Sequence, residues 1–176
     1  MVKFDIAYYR EQLIEMRKKQ TAPGGELKFN HMCVIITKKG TPLSYGYNDY
    51  NFTTQTSEHA EEMALRKLLE KKNMLNIELS KKKLYLLVVR TNGYNSKPCS
   101  RCVALLNKYA GLINLKQIYY SHEEEDDGMR KERFRDLLHG EQHLCSYSRF
   151  MHRGKPKYNK ENIVSTANTH THTEKK

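Results

Sequence analysis

No apolar run in this chain approaches the roughly 20 residues that a bilayer-spanning helix needs, and the N-terminus has no hydrophobic secretion-signal core. The expectation is therefore a soluble protein of the cytoplasm or nucleus, not secreted and with no membrane partner. Cysteine is scarce. There are four, two of them in a single C-x-x-C, which excludes a disulfide framework and fits a reducing compartment where thiols bind metal. No internal repeat is present, and nothing in 176 residues marks a second domain. Acidic residues are also in short supply, at 20 against 31 Lys and Arg, for a net charge of +11. Residues 151–176 hold six basic and two acidic residues, so residues 1–150 still carry +7. An excess spread in this way fits either a polyanionic partner or a lysine-rich solubilising surface.

What is present reads as alternating elements. Residues 3–19 place Phe4, Ile6, Tyr8, Leu13, Ile14 and Met16 at mixed three-to-four spacing, an amphipathic helix ended by Thr21–Gly25. His31–Thr37 and Leu43–Asn48 form a hairpin about a turn at Gly40. The cap-forming residues near Thr56 and Ser57 predict a helix over 58–72, and Leu84–Val89 reads as a strand covered on both faces. Pro98 opens a further helix that stops near Gly111, and Leu115–Ser121 is a strand reached by a right-handed parallel crossover. An acidic run, Glu123–Asp127, precedes a helix predicted over 129–139. Residues 143–150 suggest one more strand, and the polar tail 151–176 is expected to be disordered. The domain is thus residues 1–150. Its class is α/β, in three layers (α/β/α), with a mixed sheet of about five strands and helices on both faces.

The chemistry concentrates in His59-Ala60-Glu61 and, forty positions on, Pro98-Cys99-Ser100-Arg101-Cys102. One imidazole and two thiolates are three ligands for a tetrahedral metal, leaving a fourth position open as in catalytic zinc. Helix N-termini stabilise the thiolates, and a spacing of three puts both sulfurs on one side. Singly, each piece has an ordinary alternative. His59 is a solvated helix residue, the cysteines are a structural half-site or redox pair, and Glu61 is surface charge. Their conjunction, in order and around a buried strand, favours a catalytic Zn2+ site. His139, His143 and Cys145 offer a second, weaker metal cluster, and Cys33 belongs to a strand core.

The H-A-E and P-C-x-x-C motifs resemble those of the zinc-dependent cytidine and deoxycytidylate deaminase superfamily, which includes the tRNA adenosine deaminases and the polynucleotide cytidine deaminases. The resemblance covers roughly residues 28–122. It implies a cytidine-deaminase-like fold with His59, Cys99 and Cys102 as zinc ligands. Zinc-bound water attacks C4 of cytosine (or C6 of adenine), with Glu61 as the proton shuttle and ammonia leaving. By the same resemblance Gly46-Tyr47-Asn48 sets Asn48 against the sugar and the Ala60 N–H meets the base. Lys97 departs from the Glu or Ser that relatives often carry before the proline, which bears on substrate identity.

The long helical connection expected at 129–139 lets a final strand run parallel, as in the deoxycytidylate, tRNA-adenosine and polynucleotide branches. The small cytidine deaminases join those strands tightly and carry cysteine in place of His59. The substrate expectation is a cytosine nucleotide of the dCMP or CMP kind, with Arg90 or Lys97 receiving its phosphate. The alternatives are cytosine or adenine within RNA or single-stranded DNA, with Tyr94 and Tyr120 stacking on a base, or a catalytically silent nucleic-acid-binding or structural protein. Glu123–Asp127 repels a long polyanion. Self-association as a homo-oligomer stays open.

Overall fold

The computed structural model describes residues 5–19, 31–51 and 56–141. The strand expected at 143–150, His143, Cys145 and the basic tail lie outside them. Helix α1 (Ile6–Lys19) comes first. Strands β1 (His31–Thr37) and β2 (Pro42–Tyr47) follow, then the short strands β3 (Asp49–Asn51) and β4 (Thr56–Glu58) and helix α2 (Ala60–Leu75). After these come β5 (Leu84–Arg90), α3 (Ser100–Lys108), β6 (Leu115–Ser121), β7 (Met129–Arg133) and α4 (Phe134–His139). The main sheet has five strands in the order β2-β1-β5-β6-β7, and β3 pairs with β4 apart from it. Only β5 and β6 run parallel, the crossover through α3 joining them.

Two apolar clusters occupy the two faces of this sheet. Cys33, Ile35, Leu86, Val88 and Ile118 pack with residues of α2, α3 and α4. Met32, Val34, Ile36, Leu87 and Val89 pack against Leu13 of α1. β5 is central and covered on both sides, which is why it reads as one continuous apolar run. Each such fully buried aliphatic side chain contributes about 1.5–3 kcal/mol. The three layers and five strands agree with the expected class. No helix among the described residues is long and apolar enough to cross a membrane.

Two expectations are corrected. Thr56–Glu58 does not begin α2: it pairs antiparallel with β3, Tyr50 opposite Ser57, so its backbone groups find partners across a ladder. The helix starts at Ala60 and runs to Leu75, with His59 extended as its N-cap. The second correction concerns 129–139. Residues 129–133 are a strand, and only Phe134–His139 is helical. β7 covers the open edge of β6, Tyr119 opposite Lys131 and Ser121 opposite Met129, and runs antiparallel to it. Gly128, at φ +68, makes the turn that this hairpin needs. No long helical connection precedes the last described strand. The parallel final strand expected beyond such a connection is not found among the described residues.

Candidate metal centre and active site

His59 and Cys99 hold equivalent places, each the extended N-cap of its helix. Their carbonyls accept the first helical hydrogen bonds, from Met63 N (3.0 Å) and Val103 N (2.9 Å). Cys99 therefore caps α3, which begins at Ser100, two residues past the start expected at Pro98, and Cys102 lies in the first turn. Both helix starts meet on the same face of the sheet. His59 Nδ1 is 3.2 Å from Cys102 Sγ and 3.5 Å from Cys99 Sγ. The three donor atoms all lie within 4.8 Å of one another, able to hold a metal ion. They are the only such group among the described residues, and His139 is exposed in α4. Both cysteines are buried and unbridged.

The electrostatics of the donors suit a dication. The hydrogen bond from the Cys102 thiol, then that from His59, draws Cys99 down to about 3. The same hydrogen bond, with burial, pushes Cys102 well up. His59 is raised, chiefly by its bond to Cys99. A soft cation takes the place of these protons, and two thiolates with one neutral imidazole neutralise a 2+ ion.

Glu61, in the first turn of α2, is only 6% exposed. Burial pushes its carboxyl up to about 7, and the Cys102 side chain is within hydrogen-bonding reach of it. A carboxyl in that place is expensive for a merely structural site.

Of the expected substrate contacts, Ala60 is fully buried at the helix start. Asn48 follows β2; its backbone bonds to His31 and Arg17, and its buried Oδ1 has no partner among the described residues. Arg90 ends β5, with its guanidinium 6.0 Å from the centre of the Tyr94 ring, which is 58% exposed. Tyr120 is corrected: it is 1% exposed within the core and its hydroxyl bonds to Glu132, leaving no ring face for a base. Lys97 is spoken for as well, its ammonium 3.3 Å from the same carboxylate.

The structure adds residues that no motif announced. Glu62 accepts from the His59 backbone N–H (3.3 Å) and from Arg101 (2.9 Å), tying the two ligand-bearing helices together. A glutamate three residues after an N-cap was the available signal for the first of these contacts. Ser96 and Ser121 are buried and 2.7 Å apart. Ser121 Oγ also accepts from Arg90 N (3.0 Å) and reaches the Tyr94 carbonyl (2.9 Å), clasping the loop that leads to Cys99.

Fold and donor set together define a zinc-binding α/β protein. The family described as "Cytidine and deoxycytidylate deaminase zinc-binding region" matches residues 5–121, and the chain belongs to it. It is thus a member of a family of zinc-dependent hydrolytic deaminases, and its metal is Zn2+. Among solved structures it is similar to a cytidine deaminase from Burkholderia pseudomallei, 15% identical over 74% of this chain and 94% of that one, with a TM-score of 0.50. Those from Mycobacterium leprae and Mycobacterium tuberculosis are 20% and 21% identical, covering 73% of this chain and 92% and 89% of theirs, at TM-scores of 0.48 and 0.47. At such identities the likeness is one of fold. No curated protein matches the chain.

Proposed function

We propose that this protein is a hydrolytic deaminase of a cytosine nucleotide of the dCMP or CMP kind, with zinc held by His59, Cys99 and Cys102. The observation that carries it is the buried Glu61 carboxyl beside the three donors. Zinc, when bound, supplies Lewis-acid activation of a water. Glu61 takes one proton from the attacking water and hands it to the ring nitrogen, then carries the second, from the new hydroxyl, to the departing amine. A C–O bond forms at C4 as the C–N bond breaks, so that the aminopyrimidine and water become the oxo-pyrimidine and ammonia. The Ala60 N–H, first in α2 and without a helical partner, is suited to the base's exocyclic oxygen. Asn48 Oδ1, which has no partner among the described residues, is suited to a sugar hydroxyl.

Exposure of Tyr94 favours a second reading, a base within RNA or single-stranded DNA, since an exposed ring is free to stack. The exposed acids around Glu123–Asp127 weigh against it, although Arg130 pairs with Glu125 (2.6 Å) and Glu124 (3.7 Å). The test is ammonia release from dCMP, CMP and deoxycytidine against an oligonucleotide panel. Glu61→Gln should keep stoichiometric zinc and lose about 10²–10⁴-fold in kcat. Turnover surviving in that variant refutes the proton-carrying role.

A further inference from the structure

We infer that Glu132 of β7 is a positioning residue for the metal centre. Through Lys97 it holds the segment that delivers Cys99, and it does so from a strand that carries no metal ligand. This role concerns the donor set alone and is independent of which base or nucleotide the enzyme accepts.

Between Arg90 and Cys99 the chain is fastened to the sheet at Ser96. The Ser96 N–H bonds to the Ser121 carbonyl at 2.9 Å, and its Oγ donates to the Val88 carbonyl at 2.8 Å. Pro98, directly before the ligand, has no N–H to give. Lys97 is thus the last residue ahead of Cys99 with a polar side chain. Its backbone N–H is taken up by Asn95 Oδ1 at 2.8 Å. Its ammonium lies 3.3 Å from Glu132 Oε1, and the two side chains are 22% and 25% exposed. At that exposure the pair is less screened than a surface bridge.

Glu132 is itself held. It stands opposite Ile118 in the β6–β7 ladder, and so shares the sheet face on which Ile118 packs with Val103 and Leu106 of α3. The Tyr120 hydroxyl donates to the same oxygen, Glu132 Oε1. Tyr120 is fixed in the core, and Lys97 Nζ lies 6.0 Å from the centre of its ring. The Arg130 side chain is within hydrogen-bonding reach of that hydroxyl, and its guanidinium pairs with Glu125 at 2.6 Å. A continuous run of polar contacts therefore leads from the β6–β7 turn to the donor segment. Such a network is favourable only while each member is satisfied. Without the Glu132 carboxylate, the Tyr120 hydroxyl and the Lys97 ammonium lose their shared acceptor together, two residues from a metal ligand.

The test uses the full-length chain and reads the metal, not turnover. Competition with a chromophoric chelator gives the zinc affinity, and the thiolate-to-metal absorption of the Co2+-substituted protein reports donor geometry. Glu132→Ala should weaken zinc binding about 10-fold and shift the Co2+ spectrum. That is the lower end of the range for groups that orient metal ligands, because Glu132 acts through intervening residues. Glu132→Gln keeps an acceptor for Tyr120 and Lys97, and should bring both readouts back close to wild type. Lys97→Met keeps the stem and removes the ammonium. It should reproduce the Glu132→Ala loss with β7 untouched, and it serves if the Glu132→Ala chain fails to fold. Wild-type zinc affinity with an unchanged Co2+ spectrum, in either folded variant, overturns the inference. So does a lowered urea midpoint of the metal-free protein with zinc affinity intact, since a pair that only fastens β7 to the domain gives that result.

Discussion

Gly46 of β2 and Ala60 of α2 meet backbone to backbone. A Cβ built on Gly46 would lie 2.0 Å from the Ala60 carbonyl oxygen and 2.5 Å from Ala64 N. Neither atom is the end of a flexible side chain. The strand therefore seats the first turn of the metal-bearing helix directly, one residue from His59.

Gly46→Ala should consequently push α2 off the sheet. The expected cost is about 1–3 kcal/mol or more, as for overpacking elsewhere, together with sub-stoichiometric zinc. A urea midpoint and metal analysis on the same preparation decide it. Wild-type values for both would show that the contact is not as close as described.

Removing zinc should lower the thermal midpoint, because the ion binds the folded donors and scarcely an unfolded chain. Stabilisation amounts to about 2.7 kcal/mol at a free-ion concentration of 100 Kd. Scanning calorimetry with and without a chelator measures it. Cys99→Ala should show a low midpoint that the chelator no longer moves, and a chelator shift of wild-type size in that variant would place the ion elsewhere.

Ser121→Ala takes away the hydroxyl that joins Arg90, Tyr94 and Ser96. The three hydrogen bonds are buried or partly buried, so a loss of about 1–3 kcal/mol is expected. The loop from 91 to 98 should loosen, with faster amide exchange at Ser96, whose N–H bonds to the Ser121 carbonyl at 2.9 Å. Unchanged exchange there would mean that the clasp does not hold the loop.

The Arg101–Glu62 pair should be worth much less. Arg101 is 49% exposed, and ion pairs in that setting are screened to within about 1 kcal/mol. A double-mutant cycle on these two positions gives the coupling directly. A coupling well above that range would make the bridge between α2 and α3 a principal support of the metal centre.

How much of this was legible depended on whether the cause was local. β1, β2, β5 and β6 announce themselves through β-branched and apolar runs, since each is paired on both sides or packed on a face. Met129–Arg133 does not. Four of its five residues are charged, and they run without a break into the helical Phe134–His139. It is a strand because β6 presents an open edge beside it. Thr56–Glu58 misled in the same way, cap-forming residues serving as a rung opposite β3. Tyr120, near the end of a strand and expected to stack on a base, took a core position instead, because strand alternation turns it toward Phe134 and Leu137.

What the amino-acid order determined alone is chemistry: an imidazole, two thiols and a carboxyl at spacings that start two helices, flanking a strand apolar enough to be central. Side-chain identity and local periodicity need no partner in order to be read. Tertiary structure decided convergence and direction. Donors forty residues apart come within 4.8 Å of one another because two helices bury their apolar faces on the same side of one sheet. Likewise Glu132 meets Lys97 only through the register of β7 on β6, which depends on pairing and not on any residue taken singly.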